Sequence, residues 1–186
     1  MKKVIKLDID GVIRSMTKSM VDVYNKEFNA HMTEDDVIYY QIHKSFPLLN
    51  KDNAFDFFFN KHKQETIIDS EIYDGAKEAI DMLRSYDFYI NIVTYQPDIQ
   101  AKLDTLQWLD RHNVKYDAIT FVDTHSKDDI KGDIIIDDCP DFLKEDYNKP
   151  MEVICIDKAY NRKDNICTKR FNSLMEAAKY LCGWEE

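Results

Sequence analysis

The sequence predicts an α/β protein: a doubly wound parallel sheet with a small helical cap inserted after its first strand. Three observations carry this expectation. Short apolar runs rich in β-branched residues recur along the chain, helical periodicities separate most of them, and acidic residues gather where the runs end. The chain has 186 residues, enough for one core domain with a modest insertion. The expected division is a core of residues 1–14 and 73–186, with a cap of residues 15–72.

The first run is Val4-Ile5-Lys6-Leu7, and it ends in Asp8-Ile9-Asp10-Gly11-Val12. A buried strand that delivers two carboxylates and then turns at glycine is an unusual use of a core element. Asp8 and Asp10 are two residues apart, so on a regular strand both would point to one face. Such close like charges raise each other's pKa unless a cation lies between them, and a hard divalent ion with oxygen ligands suits the site. The plainer alternative is a pair of aspartates capping the next turn.

Met20, Tyr24 and Phe28 then mark a helix, and Thr33 before Glu34-Asp35-Asp36 marks the start of another. The stretch from Tyr39 to Phe59 is dense in rings, interrupted by Pro47, with a helix start at Asp52-Asn53. Packing of a small helical core is the simplest use for these rings, and part of such a core can also face a ligand.

From Asp74 the alternation is regular. Asp74-Gly75 opens a helix with Ala76, Ala79, Ile80, Leu83 and Tyr86 on one face, followed by a strand from Phe88 to Thr94. Gln96-Pro97-Asp98 starts a helix whose expected apolar stripe is Ile99, Leu103, Leu106 and Leu109. Strands follow at Tyr116–Val122, Asp133–Asp138 and, expected last, Glu152–Ile156, with Ser173 to Glu176 capping a final helix.

Composition narrows the function. The net charge is −10 and the pI about 5.0, which argues against a nucleic-acid polymer as partner. The apolar run behind Met1 is too short and too charged for a signal peptide or membrane span. Cys139, Cys155, Cys167 and Cys182 lack paired spacing and read as free thiols, so a cytoplasmic setting is expected.

The strand ends form a constellation: Asp8 and Asp10 on the first, Thr94 on the second, Asp137 and Asp138 on the fourth, with Lys127 and Lys131 in the loop before it. Each is weak evidence alone. Together they place four acids, a hydroxyl and an ammonium at the edge where parallel sheets bind ligands, and burying four acids without a cation is costly.

These motifs resemble those of the haloacid dehalogenase superfamily of phosphotransferases, Asp8-Ile9-Asp10-Gly11-Val12 matching the first, Thr94 the second, Lys127 the third and Asp137-Asp138 the fourth. The resemblance implies Asp8 as nucleophile and Asp10 as general acid and then base. It implies that Thr94, with Tyr95 beside it, and Lys127 hold phosphate oxygens. It further implies Mg²⁺ bound by Asp8, the Asp10 carbonyl and the Asp137-Asp138 pair, with Asp138 the favoured member. Lys131 is the competing choice for the third motif. Within the superfamily the chain is most similar to the 5′(3′)-deoxyribonucleotidases, through Trp108-Leu109 and the run Gly132 to Pro140. That family usually continues the first motif with Asp-Phe, where this chain has Ser15-Met16. Met16, Tyr39 and Tyr40 are therefore the expected substrate contacts in the cap. The implied substrate is a small phosphorylated metabolite, a nucleoside monophosphate first and a sugar phosphate as the alternative. A phosphate-ligand binding module without turnover is the rival from another class.

Overall fold

A computed structural model describes residues 2–184 apart from 123–126, 128 and 148. Six parallel strands form one sheet: β1 (Val4–Leu7), β2 (Tyr89–Tyr95), β3 (Ala118–Val122), β4 (Ile134–Asp137), β5 (Glu152–Ile156) and β6 (Lys169–Phe171). Their spatial order is β3-β2-β1-β4-β5-β6. The chain runs outward from β1 through β2 to β3, then crosses back to β4 on the other side of β1. Connections therefore diverge beside β1, and a crevice opens at the carboxyl ends there. The sixth strand corrects the expectation that Glu152–Ile156 is the last. Lys169–Phe171 is only three residues long and carries two charges, so it has no apolar run to announce it.

The strand interiors are apolar because helices cover both faces of the sheet. One face packs Ile5, Leu7, Ile92 and Ile136 against α4 (Ala76–Ser85), α5 (Ile99–Arg111) and α7 (Leu174–Leu181). The other packs Ile135, Val153 and Cys155 against α6 (Pro140–Asp146). Lys6 also points to this second face, where its buried ammonium pairs with Asp146 at 2.5 Å.

Helix α4 buries Ala76, Ala79, Ile80 and Leu83 as its periodicity predicts, but Tyr86, expected on the same face, follows the last helical residue and is exposed. Helix α5 does not follow its expected stripe. Ile99 is 77% and Leu103 46% exposed, while Thr105, Trp108 and Leu109 face inward with Asp104. Trp108, the largest side chain on the helix, sets the face, and its indole N–H is satisfied by the Ser70 carbonyl at 2.8 Å.

Between β1 and α4 the chain forms a helical segment. Helix α1 (Met16–Phe28) leads to a single 3₁₀ turn (Glu34–Asp36), then the short α2 (Ile42–Ser45) and α3 (Ala54–Asp56). Two π turns follow, Phe57–Lys61 and Gln64–Ile68. The helix expected after Thr33 thus stops after one turn, closed by mutual bonding of Thr33 and Asp36. Met20, Tyr24, Phe46, Phe57 and Phe58 form a separate apolar cluster in this segment. Among the described residues, no helix is long and apolar enough to cross a membrane. The four cysteines are free.

Candidate active site

The first motif forms because the chain leaves the sheet at Leu7 and turns at once. Asp8 still bonds the neighbouring strand, its N–H donating to the Ile136 carbonyl at 3.1 Å. The Ile9 carbonyl accepts from the amides of Val12, Ile13 and Arg14 at 3.2, 2.8 and 2.8 Å, folding the turn over itself. Gly11 has φ +83, and a Cβ there would collide with the Asp138 carboxylate. Glycine is required twice over, by the backbone angle and by the close approach of the fourth motif.

Asp8, Asp137 and Asp138 are buried, and each offers an oxygen within 4.8 Å of the others. Lys127, 1% exposed, bridges two of them: its ammonium donates to Asp8 Oδ1 and Asp137 Oδ2, both at 2.7 Å. The other oxygen of Asp137 accepts from the Cys139 amide at 2.8 Å. Lys131 is exposed. The structure therefore brings Lys127, not Lys131, to the acids.

Three carboxylates against one ammonium leave two formal negative charges in a buried cluster. Burial pushes Asp8 up to about 7, with Asp137 and Asp10 adding to the rise and Lys127 opposing it. Burial, then Asp137 and Asp8, also hold Asp138 well above the carboxylate range. Burial works against the charge on Lys127, but Asp137 and Asp8 outweigh it and raise its pKa. Excess buried negative charge on hard oxygen donors fits a divalent cation such as Mg²⁺.

Asp10 is placed differently from the sequence expectation of two like charges sharing one face. Its carboxylate lies outside the three-acid cluster and is gripped by Arg14, Nε to Oδ1 at 2.6 Å and Nη2 to Oδ2 at 3.0 Å. Gln96 adds a bond to Oδ2 at 3.3 Å. Arg14 is fully buried and lies over the Trp108 ring at 5.3 Å. Sequence reasoning missed Arg14, although a lone arginine four residues after Asp10 was a usable signal. It also missed Tyr160, whose phenol donates to Asp138 Oδ2 from 22 residues away.

A cavity of about 680 Å³ opens over the strand ends, with Asp8, Asp10, Asp138, Thr94 and Tyr95 among its lining. Its upper walls include Met16, Tyr39, Tyr40, Phe55 and Phe59 from the helical segment. Lys127 and Asp137 stand behind this surface. The aromatic stretch thus divides: Phe46, Phe57 and Phe58 are core, while Tyr39, Tyr40, Phe55 and Phe59 face the cavity.

Two curated relatives share part of the sequence. The Bacillus subtilis protein "Putative nucleotidase YqfW" is 32% identical over 126 residues, 65% of this chain and 60% of that protein. The Chlorobaculum tepidum "Putative 5′(3′)-deoxyribonucleotidase" is 28% identical over 105 residues, 54% of this chain and 51% of that protein. The chain thus matches little more than half the length of these relatives. Among solved structures, L-2-haloacid dehalogenase from Xanthobacter autotrophicus shares the fold at TM-score 0.67 and 10% identity, each chain covered over 100% of its length. The model of the family described as 5′ nucleotidase, deoxy (pyrimidine), cytosolic type C protein matches residues 2–181. With its doubly wound fold and motif residues meeting at one sheet edge, this chain belongs to that nucleotidase family.

Proposed function

We propose that the protein is a Mg²⁺-dependent phosphomonoester hydrolase that forms an aspartyl phosphate on Asp8 and acts on a nucleoside monophosphate. The observation that carries this proposal is the buried Asp8–Lys127–Asp137 bridge beside Asp138, opening directly into a ring-walled cavity of about 680 Å³. Both oxygens of Asp137 are engaged by Lys127 and Cys139, so Asp8 and Asp138 are the better-placed carboxylate ligands, joined by the Asp10 carbonyl. When bound, the ion supplies charge neutralisation between the attacking carboxylate and the phosphate oxygens.

In the first half-reaction an Asp8 oxygen attacks phosphorus, the bond to the leaving oxygen breaks, and Asp10 gives that oxygen a proton. In the second, Asp10 takes a proton from water, whose oxygen attacks phosphorus and releases Asp8. Lys127 offsets charge at the nucleophile throughout. Thr94 and Tyr95 lie on the cavity side of β2, where they would hold phosphate oxygens. Residues 15–72 act as a cap, with Met16, Tyr39 and Tyr40 meeting the leaving group. Lys63, Asp104 and Gln100 add a polar patch to the wall, which keeps a sugar phosphate as the second reading.

The test is phosphate release from ribo- and deoxyribonucleoside 5′- and 3′-monophosphates and from sugar phosphates, with Mg²⁺ and with chelator. Turnover of a nucleotide with Mg²⁺, and phosphate trapped on Asp8, are expected. Sugar phosphates as the preferred substrates would replace the nucleotide assignment. Full activity in chelator, or phosphate trapped elsewhere, would overturn the chemistry.

A further inference from the structure

We propose that Tyr160 positions Asp138 as a metal ligand and links that ligand to the cap. The proposal rests on the assignment of Asp138 to the metal. Tyr160 lies in the loop between β5 and β6, far from every motif in sequence, yet its phenol donates to Asp138 Oδ2. Among the described residues, no ammonium or guanidinium pairs with the Asp138 carboxylate. Lys158 comes near, but its ammonium sits over the Tyr73 ring at 3.9 Å. Among the described residues, Tyr160 is therefore the side chain that hydrogen-bonds the buried Asp138 carboxylate directly.

The loop is built to hold that phenol still. Neighbouring Asn161, fully buried, donates its amide to the Asp138 carbonyl at 2.8 Å and to the Ile156 carbonyl at 2.9 Å. Its oxygen accepts from the Lys158 amide at 3.0 Å and from Arg170 at 2.6 Å. One residue thus ties the loop to the ends of both β4 and β5, and the one before it delivers the hydroxyl. The same oxygen, Asp138 Oδ2, is also the carboxylate atom nearest the bare Cα of Gly11. With Oδ2 engaged by the phenol and crowded by Gly11, Oδ1 is the oxygen left for the ion. Hydrogen-bond partners of this kind orient metal-ligating carboxylates and tune affinity.

The ring of Tyr160 faces the other way in function. It packs against the apolar cluster of the helical segment and meets the Tyr40 ring edge-on, with centroids 5.6 Å apart at 65°. Tyr160 thus meets Asp138 with its hydroxyl and a cap tyrosine with its ring. Ordering of Asp138 on its ion is felt at Tyr40 through Tyr160.

Tyr160→Phe separates these roles, because it keeps the ring and removes only the hydroxyl. Calorimetric titration of the full chain with Mg²⁺ alone should show a Kd raised about 10–100-fold, while in chelator the variant still unfolds cooperatively and loses no more than one buried hydrogen bond is worth. In hydrogen exchange, Mg²⁺ should protect the backbone around Tyr39 and Tyr40 in the wild type and fail to do so in the variant. Tyr160→Leu, which also removes the ring, should lose that protection as well. An unchanged Mg²⁺ affinity in Tyr160→Phe overturns the positioning role, and equal protection in both proteins overturns the link to the cap. If the wild type itself takes up no Mg²⁺, the metal assignment has failed, and the proposal with it.

Discussion

Replacing Lys127 by methionine keeps most of the length of the side chain and removes its charge from between two buried carboxylates. Asp8 and Asp137 lose bonds of 2.7 Å each; Asp137 is wholly buried and Asp8 meets the cavity only at its edge. Removing one partner of a buried ion pair costs about 3–5 kcal/mol, because the remaining charge stays desolvated. Part of that cost can be relieved by proton uptake. Asp8 already titrates near 7 with Lys127 opposing the rise, so without Lys127 it stays protonated to higher pH. The destabilisation should therefore be smaller at pH 5.5, where Asp8 is neutral in both proteins and the loss falls on Asp137, and should grow towards about 3–5 kcal/mol above pH 7. Urea unfolding in chelator at pH 5.5 and 8 measures it. Phosphate release should fall about 10²–10³-fold, the scale for removing one preorganised donor at developing charge. Lys131→Met is the control: it alters an exposed side chain, so stability should stay within about 0.5 kcal/mol and activity unchanged. A dead Lys131→Met enzyme, or a Lys127→Met protein as stable as the wild type at pH 8, would refute the reasoning.

Asp10→Asn should lower turnover of an alkyl phosphate about 10²–10⁴-fold and of an aryl phosphate much less, since a good leaving group needs no proton; equal losses would remove the acid role. The raised pKa of Asp8 favours the metal-free fold most fully below its ordinary value of 3.8, and that advantage is lost as pH rises through about 7. The rise in Tm caused by Mg²⁺ should accordingly be larger at pH 7.5 than at pH 5, and a pH-independent shift in scanning calorimetry would contradict this. Tyr39→Ala should raise KM for the best nucleotide about tenfold or more, the scale of one lost stacking contact, while sparing a small aryl phosphate. Phe58→Ala, by contrast, empties a fully buried site and should cost about 3–5 kcal/mol in denaturant unfolding.

Much of this molecule is legible in one dimension. The run Val4 to Leu7 reads as a buried strand because parallel strands covered on both faces need continuous apolar side chains, and Asp8 and Asp137 stand out because acids at such strand ends are costly without a purpose. Lys127 could be preferred over Lys131 only by resemblance, and its burial between two carboxylates gives that preference a physical basis. The stripe on α5 was misjudged because periodicity counts apolar residues without knowing what faces them. Trp108 and the polar pair Asp104–Lys63 decide which side of that helix turns inward.

By itself, then, the sequence determined the alternation of strands and helices, the strand that begins the site and the acids that end it, since burial and charge leave local periodic marks. Only the tertiary structure decided that Arg14 takes the Asp10 carboxylate, that Tyr160 takes that of Asp138, and which rings leave the core for the cavity. Those outcomes depend on where loops return in space. A hydrogen bond formed across 22 residues has no period, and a phenylalanine looks the same in sequence whether it packs inward or lines a wall.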